Sequence, residues 1–261
     1  MTEQVIYFHK IRPVGVDSED KKKTSEPTKI TSLDDLRKFH ALERQVFGWD
    51  RKDARLENNI VSNVADRAKR EIDCADSRTV YFVIKDQSGN IVSGGGLRVT
   101  LDEDGLLGAY LFSDFTIEDW LGKGLNVAII EARLNKAKKE FHCKFATVDN
   151  HADNPIGLVS KFKSGFILNG LTKDDENKDI FELYKNFEDD GNGQTVGESK
   201  EKKVELKKTE WHEVPLGNLE AIKFWLEQNP KWVGVDIKNL NGVDDNNPSN
   251  WVLVMEKVED E

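Results

Sequence analysis

Residues 111–166, LFSDFTIEDWLGKGLNVAIIEARLNKAKKEFHCKFATVDNHADNPIGLVSKFKSGF, read as strand, glycine turn, amphipathic helix, strand, short helix and glycine. The strand is Gly108–Ile117, aromatic and β-branched towards its end. The turn is Leu121-Gly122-Lys123-Gly124-Leu125-Asn126. The helix spans residues 125–140, with Val127, Ile130, Leu134 and Ala137 on one face and lysines at its C-terminal end, where cations suit the helix dipole. Lys144–Val148 is the next strand. A strand followed by a glycine turn that opens a helix is an anion-binding device, because the first-turn N–H groups lack intrahelical partners and glycines let the backbone approach the anion.

Spacing separates the kinds of anion site that use such a turn. A dinucleotide fold wants G-x-G-x-x-G, and Gly122 and Gly124 have no third glycine at Val127. The nucleotide-triphosphate loop G-x-x-x-x-G-K-[ST] is absent. The stretch resembles the pyrophosphate loop of the GNAT superfamily of N-acetyltransferases, often written R-G-K-G-I-G. Residues 121–126 keep its two middle glycines, the lysine and the aliphatic, with Leu121 in place of Arg/Gln and Asn126 in place of Gly/Ala. Downstream, the family reads roughly N-x-x-A-x-x-L-Y-x-x-x-G-F. Asn154…Gly165-Phe166 keeps the asparagine, the spacing and the final Gly-Phe, with Gly157, Ser160 and Lys161 replacing Ala, Leu and Tyr. The resemblance covers residues 33–187. It implies an α/β (α+β) fold with a mixed, mostly antiparallel sheet flanked by helices.

It also implies an acyl-CoA site. In the family the central strand splays from its parallel neighbour, and the pantetheine arm pairs with the freed backbone. The matching positions are Phe115, Thr116 and Ile117, with Gly122, Lys123, Gly124, Leu125 and Asn126 for the pyrophosphate and Asn154 from the downstream motif. The implied cosubstrate is acetyl-CoA or another acyl-CoA. Direct acyl transfer to an amine needs a base for the ammonium proton and an acid for the thiolate. Asp114, Glu118 and Asp119 are the candidate carboxylates. Alternation puts Asp114, Thr116 and Glu118 on one face of the strand and Phe115 and Ile117 on the other. Lys161 stands where the family has its acidic tyrosine; a cation near sulfur stabilises a thiolate or donates a proton. Tyr110 and Tyr184 are substitute candidates for that acid, without positional support, and His151, just after the Val148 strand, is a candidate base. No His/Cys cluster has metal spacing.

The chain has 261 residues, 38% hydrophobic and 33% charged, and a net charge of −10. The acidic balance argues against nucleic acid and anionic membrane as partners and suits a cationic small-molecule or peptide amine. No apolar run approaches the ~20 residues of a membrane span, and the N-terminus lacks a signal-peptide pattern. Two cysteines, Cys74 and Cys143, make no disulfide framework. A cytoplasmic location is the expectation.

Along the chain, residues 5–14 read as a strand, Ser32 caps a helix over residues 33–46, and residues 54–72 read as a second helix. Thr79–Thr100 is a hairpin turning at Asp86–Asn90. Its second strand holds Gly94-Gly95-Gly96, read as a bulge or close helix packing, with room for substrate as the other reading. Residues 167–169 and 179–187 are a final β pair. Domain 1–187 is thus followed by a polar linker or exposed loop at 188–203 and a small α+β extension at 204–261. Four of the six tryptophans lie in that extension, which makes it a candidate surface for a protein partner or self-association; tryptophan is also a core residue.

The leading reading is an acyl-CoA-dependent N-acyltransferase. The segment Arg44–Asp50, the hairpin and Leu97–Thr100 are also similar to the N-terminal half of acyl-homoserine-lactone synthases, which use acyl carrier protein and S-adenosylmethionine. A third reading is a catalytically degenerate GNAT-like binding or assembly protein.

Overall fold

A computed structural model describes residues 24–47, 79–187, 210–228, 232–242 and 246–258. The expected strand at residues 5–14, the helix at 54–72, the linker at 188–203 and Cys74 lie outside the described residues. The rest form one mixed sheet of ten strands in the order β1-β2-β3-β4-β5-β7-β6-β9-β10-β8. The strands are β1 (Thr28–Lys29), β2 (Thr79–Lys85), β3 (Ile91–Leu101), β4 (Leu107–Thr116), β5 (Phe145–His151), β6 (Ile167–Lys173), β7 (Asp179–Asn186), β8 (Trp211–Pro215), β9 (Trp232–Asn239) and β10 (Trp251–Lys257). Helices α1 (Leu33–Phe47), α2 (Leu125–Lys139), α3 (Pro155–Lys163) and α4 (Leu219–Leu226) flank it. The α+β class and, among the described residues, the order of elements are those implied by the GNAT resemblance.

Local chemistry explains the elements. Ser32 Oγ accepts the Asp35 N–H at 3.1 Å, capping α1. The β2–β3 turn closes on Asp86 Oδ1, which accepts from Ser88 and Asn90 N–H at 2.9 and 2.8 Å. Asn154 and Asn218 cap α3 and α4, accepting from Gly157 and Ala221 N–H. In the extension Leu216 and Gly217 form a turn, so α4 starts only after Asn218.

One face of the sheet packs on α1. Leu36, Phe39, Tyr81, Val83, Ile91 and Phe115 form its small core. The other face packs on α2 and α3, and its large core includes Leu97, Leu111, Ile129, Ile130, Leu134, Leu158, Phe166 and Phe181. The C-terminal extension continues the sheet. β9 meets β6 at the single pair Leu168↔Gly234. A Cβ at Gly234 would lie 2.9 Å from Leu168 Cβ and 2.9 Å from Leu253 Cδ1, so glycine sets this approach. Trp232, Trp251, Leu253 and Met255 join the same core, whereas Trp211 is 60% exposed.

Candidate active site

β4 and β5 are parallel neighbours, yet they pair only from Gly108↔Phe145 to Leu111↔Val148. β4 continues to Thr116 and β5 to His151, so the strands part beyond Leu111. On its other side β4 remains tied to β3. Ile117 N–H donates to Val92 O at 3.0 Å, and Ser93 Oγ donates to Phe115 O at 2.9 Å. Alternation therefore turns the Thr116 N–H and C=O towards the gap. Of the three residues matched to the pantetheine arm, Thr116 is the one whose backbone faces it.

A bulge sits at the point of parting. Gly94 pairs with Phe115 and Gly96 with Phe112, so Ser113 and Asp114 together oppose Gly95. Ser113 adopts a φ of 58°, uncommon for a residue with a side chain. The extra residue resets the alternation, so Asp114 shares the helix-facing side with Leu111 instead of lying beside Phe112. Glu118 does not join it: the strand ends at Thr116, and Glu118 is exposed in a 3-10 turn, Glu118–Trp120. The expected common face of Asp114, Thr116 and Glu118 is corrected on this point.

Three charged side chains meet beneath the helices. Arg133 of α2 is 0% exposed and pairs with Asp114. Its Nη1 donates to Gly96 O at 2.8 Å and Phe112 O at 3.3 Å, covering carbonyls beside the bulge. Lys161 of α3 is 4% exposed, with Nζ 3.6 Å from Asp114 Oδ2 and 3.4 Å from Gly157 O. Burial lowers the Lys161 pKa from the ordinary lysine value, while Asp114 opposes that fall. A Cβ on Gly95 would lie 2.8 Å from Arg133 Cζ and Asp114 Oδ1, whereas Gly94 and Gly96 face Phe39 and Phe112. The glycine run thus serves close packing on both faces, and its middle member makes room for the Arg133–Asp114 pair.

The turn ahead of α2 has left-handed φ values of 73° at both Gly122 and Gly124, and Gly124 is the N-cap without a side-chain cap bond. Nothing lies within 4 Å of a Cβ built on Gly124. The approach to the N-terminus of α2 is open there. Lys123 Nζ sits over the Trp120 ring, 4.4 Å from its centroid. Asn126 turns towards α3, where its Nδ2 donates to Ser160 Oγ at 2.8 Å; its Oδ1 is buried and has no hydrogen-bond partner among the described residues. Leu125 packs partly buried against the main core. Asn154 is the exposed cap of α3. His151 is exposed, with Nδ1 3.8 Å from Asp174 Oδ2, and Tyr184 stacks on Phe145.

Several departures from the family pattern touch one another. Asn126 bonds Ser160, Ser160 Oγ donates to Gly157 O at 2.9 Å, and Lys161 pairs with Asp114. A Cβ at Gly157 would lie 2.3 Å from Asn150 Oδ1. Spacing alone did not reveal Arg133, which occupies an apolar stripe, or the hydrogen bond from Tyr110 Oη to Asp149 Oδ2 at 2.9 Å. The glycine opposite the bulge was the available signal for the first.

No protein-family model and no curated protein matches the chain. Among solved structures it is similar to spermidine N-acetyltransferase SpeG of Vibrio cholerae. A chimera of that protein with hSSAT aligns at 15% identity and a TM-score of 0.49, covering 62% of this chain and 96% of the other. A dodecameric structure of the Vibrio cholerae protein in an intermediate state aligns at 15% identity and 0.48, covering 63% and 94%. The aligned share of this chain leaves more than a third of it without a counterpart in either structure. No helix among the described residues is long and apolar enough to cross a membrane.

Proposed function

We propose that this chain is an acyl-CoA-dependent N-acyltransferase, with acetyl-CoA as donor and an amine as acceptor. One observation carries the reading: β4 and β5 part just ahead of a glycine turn that opens α2. An amide-bearing arm added beside Thr116 places its pyrophosphate at the α2 N-terminus, between Gly122 and Asn126. The buried, unpartnered Asn126 Oδ1 suits an amide N–H of that arm. Lys161, near the parted strands, has the role of acid for the leaving thiolate; its lowered pKa eases proton donation. Asp114 already faces two cations, which suits it to orient Lys161 rather than to take the acceptor's proton.

The test is calorimetric titration with acetyl-CoA, with CoA and S-adenosylmethionine as comparisons. Micromolar acetyl-CoA binding is expected, and its loss in Gly124→Trp, which fills the open approach. Unchanged affinity in that variant would sink the loop assignment. Binding of S-adenosylmethionine alone would favour the lactone-synthase reading. The degenerate, binding-only reading draws on the Asn126–Ser160 and Asp114–Lys161 contacts, which link α2 and β4 to α3; failure to bind all three ligands would favour it.

A further inference from the structure

We infer that Asp149, held by Tyr110, is the base that takes the proton from the amine acceptor. This rests on the acyltransferase reading and assigns the residue which that reading leaves open. Asp149 is the first residue of β5 beyond its last pair with β4, Leu111↔Val148. It therefore sits at the mouth of the gap. Val148 and Asn150 are buried and Asp149 is exposed, so alternation turns its carboxylate away from α2 and α3, to the side of Tyr110 and Phe112. Tyr110 Oη donates to Oδ2 at 2.9 Å, which leaves Oδ1 for an ammonium. Burial, reinforced by the Asp149 charge, raises the Tyr110 pKa, so the phenol stays protonated and keeps donating to the carboxylate. Tyr110 stacks on Phe112 at 6.1 Å, Tyr81 meets Phe112 edge-on at 5.7 Å, and Arg98 lies over the Phe112 ring at 5.4 Å. This aromatic wall suits the aliphatic part of an alkylamine.

On the opposite face Lys161 lies buried on α3 beside Asp114. Base and acid thus stand on the two sides of the place where a thioester carbonyl would lie. The acceptor ammonium gives one proton to Asp149, which passes it to solvent. The nitrogen lone pair then forms the C–N bond at the thioester carbon. The C–S bond breaks with its electron pair on sulfur, and the Lys161 ammonium protonates that thiolate. The nitrogen sheds its second proton to water, and Lys161 regains one from water. The balance is one amide, one thiol and one released proton.

The experiment compares two small nucleophiles with acetyl-CoA, following thiol release. Propylamine is an ammonium at neutral pH and needs a base; hydroxylamine is largely neutral and does not. Asp149→Asn is expected to lower turnover with propylamine by roughly 10²–10⁴-fold, the usual range for a lost general base, while turnover with hydroxylamine and acetyl-CoA affinity hold within about threefold. Tyr110→Phe is expected to show the same split at smaller size, and Asp149→Glu to restore part of the propylamine rate. Equal losses with both nucleophiles would mean a structural role, and no loss with either would mean no role; both overturn the assignment. Wild-type protein that binds acetyl-CoA but accelerates neither reaction also overturns it and leaves the donor site standing. Failure to bind acetyl-CoA removes the acyltransferase reading itself.

Discussion

The fork between β4 and β5 and the β8–β10 extension bury opposite kinds of side chain. At the fork, Arg133, Asp114 and Lys161 share the interior. In the extension, Trp232, Trp251, Leu253, Met255 and Ile222 fill it. Both regions belong to one continuous hydrophobic core. Apolar packing would have served the fork as well, since buried ions lose hydration that their attraction only partly restores. The contrast fits the proposed reading, in which the extension stabilises the fold and the fork does the chemistry.

Five measurements break or sharpen that contrast. Asp114→Ala strands two buried cations and is expected to cost about 3–5 kcal/mol in denaturant melts. The triple variant Asp114→Leu, Arg133→Met, Lys161→Met is expected to be near neutral or more stable, yet inactive in acyl transfer. Were the triple variant active, the charges would be structural and the contrast would fall. Leu253→Ala in the extension is expected to cost about 2–5 kcal/mol, with acetyl-CoA affinity per folded molecule unchanged; weakened affinity would show that the extension shapes the donor site.

The fourth measurement uses pH. The folded state lowers the Lys161 pKa below the ordinary lysine value of 10.5. Between the two values the unfolded chain binds the extra proton. Stability attributable to Lys161 therefore rises with pH across that window, by at most about 1.4 kcal/mol per pH unit for one proton. Subtracting the profile of Lys161→Met isolates the slope, and a flat or falling difference would contradict the burial of a charged lysine. The smallest effect belongs to Ser160→Ala. Loss of the Asn126–Ser160 bond is expected to cost about 0.5–1.5 kcal/mol while acetyl-CoA binds at least as tightly. Weaker binding would mean that the contact orders the groove.

Most elements were legible because their signals are local. Ser32, the Asp86–Asn90 turn and the alternation of residues 79–84 each act within a few neighbours. The glycine turn ahead of α2 was legible for the same reason, since two spaced glycines announce two left-handed residues. The fork was not. Asp114 reads as paired with Phe112 until Ser113 adds one residue to the strand and reverses the alternation. Arg133 reads as a wet residue because charge on a helix is usually solvated, and most of its partners lie at a bulge far from it in sequence. Lys161 at the family's tyrosine position reads equally well as surface, and its depth depends on α3 packing over the gap. The extension's tryptophans were ambiguous between core and surface because edge and inner strands carry the same residue types; Trp211 lies on edge strand β8, whereas Trp232 and Trp251 lie on the inner strands β9 and β10.

The missing Cβ at Gly95 has a consequence for ancestry. A glycine whose nearest neighbours on that side are Arg133 and Asp114 ties together three positions that lie far apart along the chain. Relatives that lose the arginine are released to carry alanine or serine at the strand position, and relatives that keep it are not. Positions 95, 114 and 133 should therefore drift as a unit through any lineage of this protein, and a descendant that breaks the unit would mark where its chemistry was given up or changed.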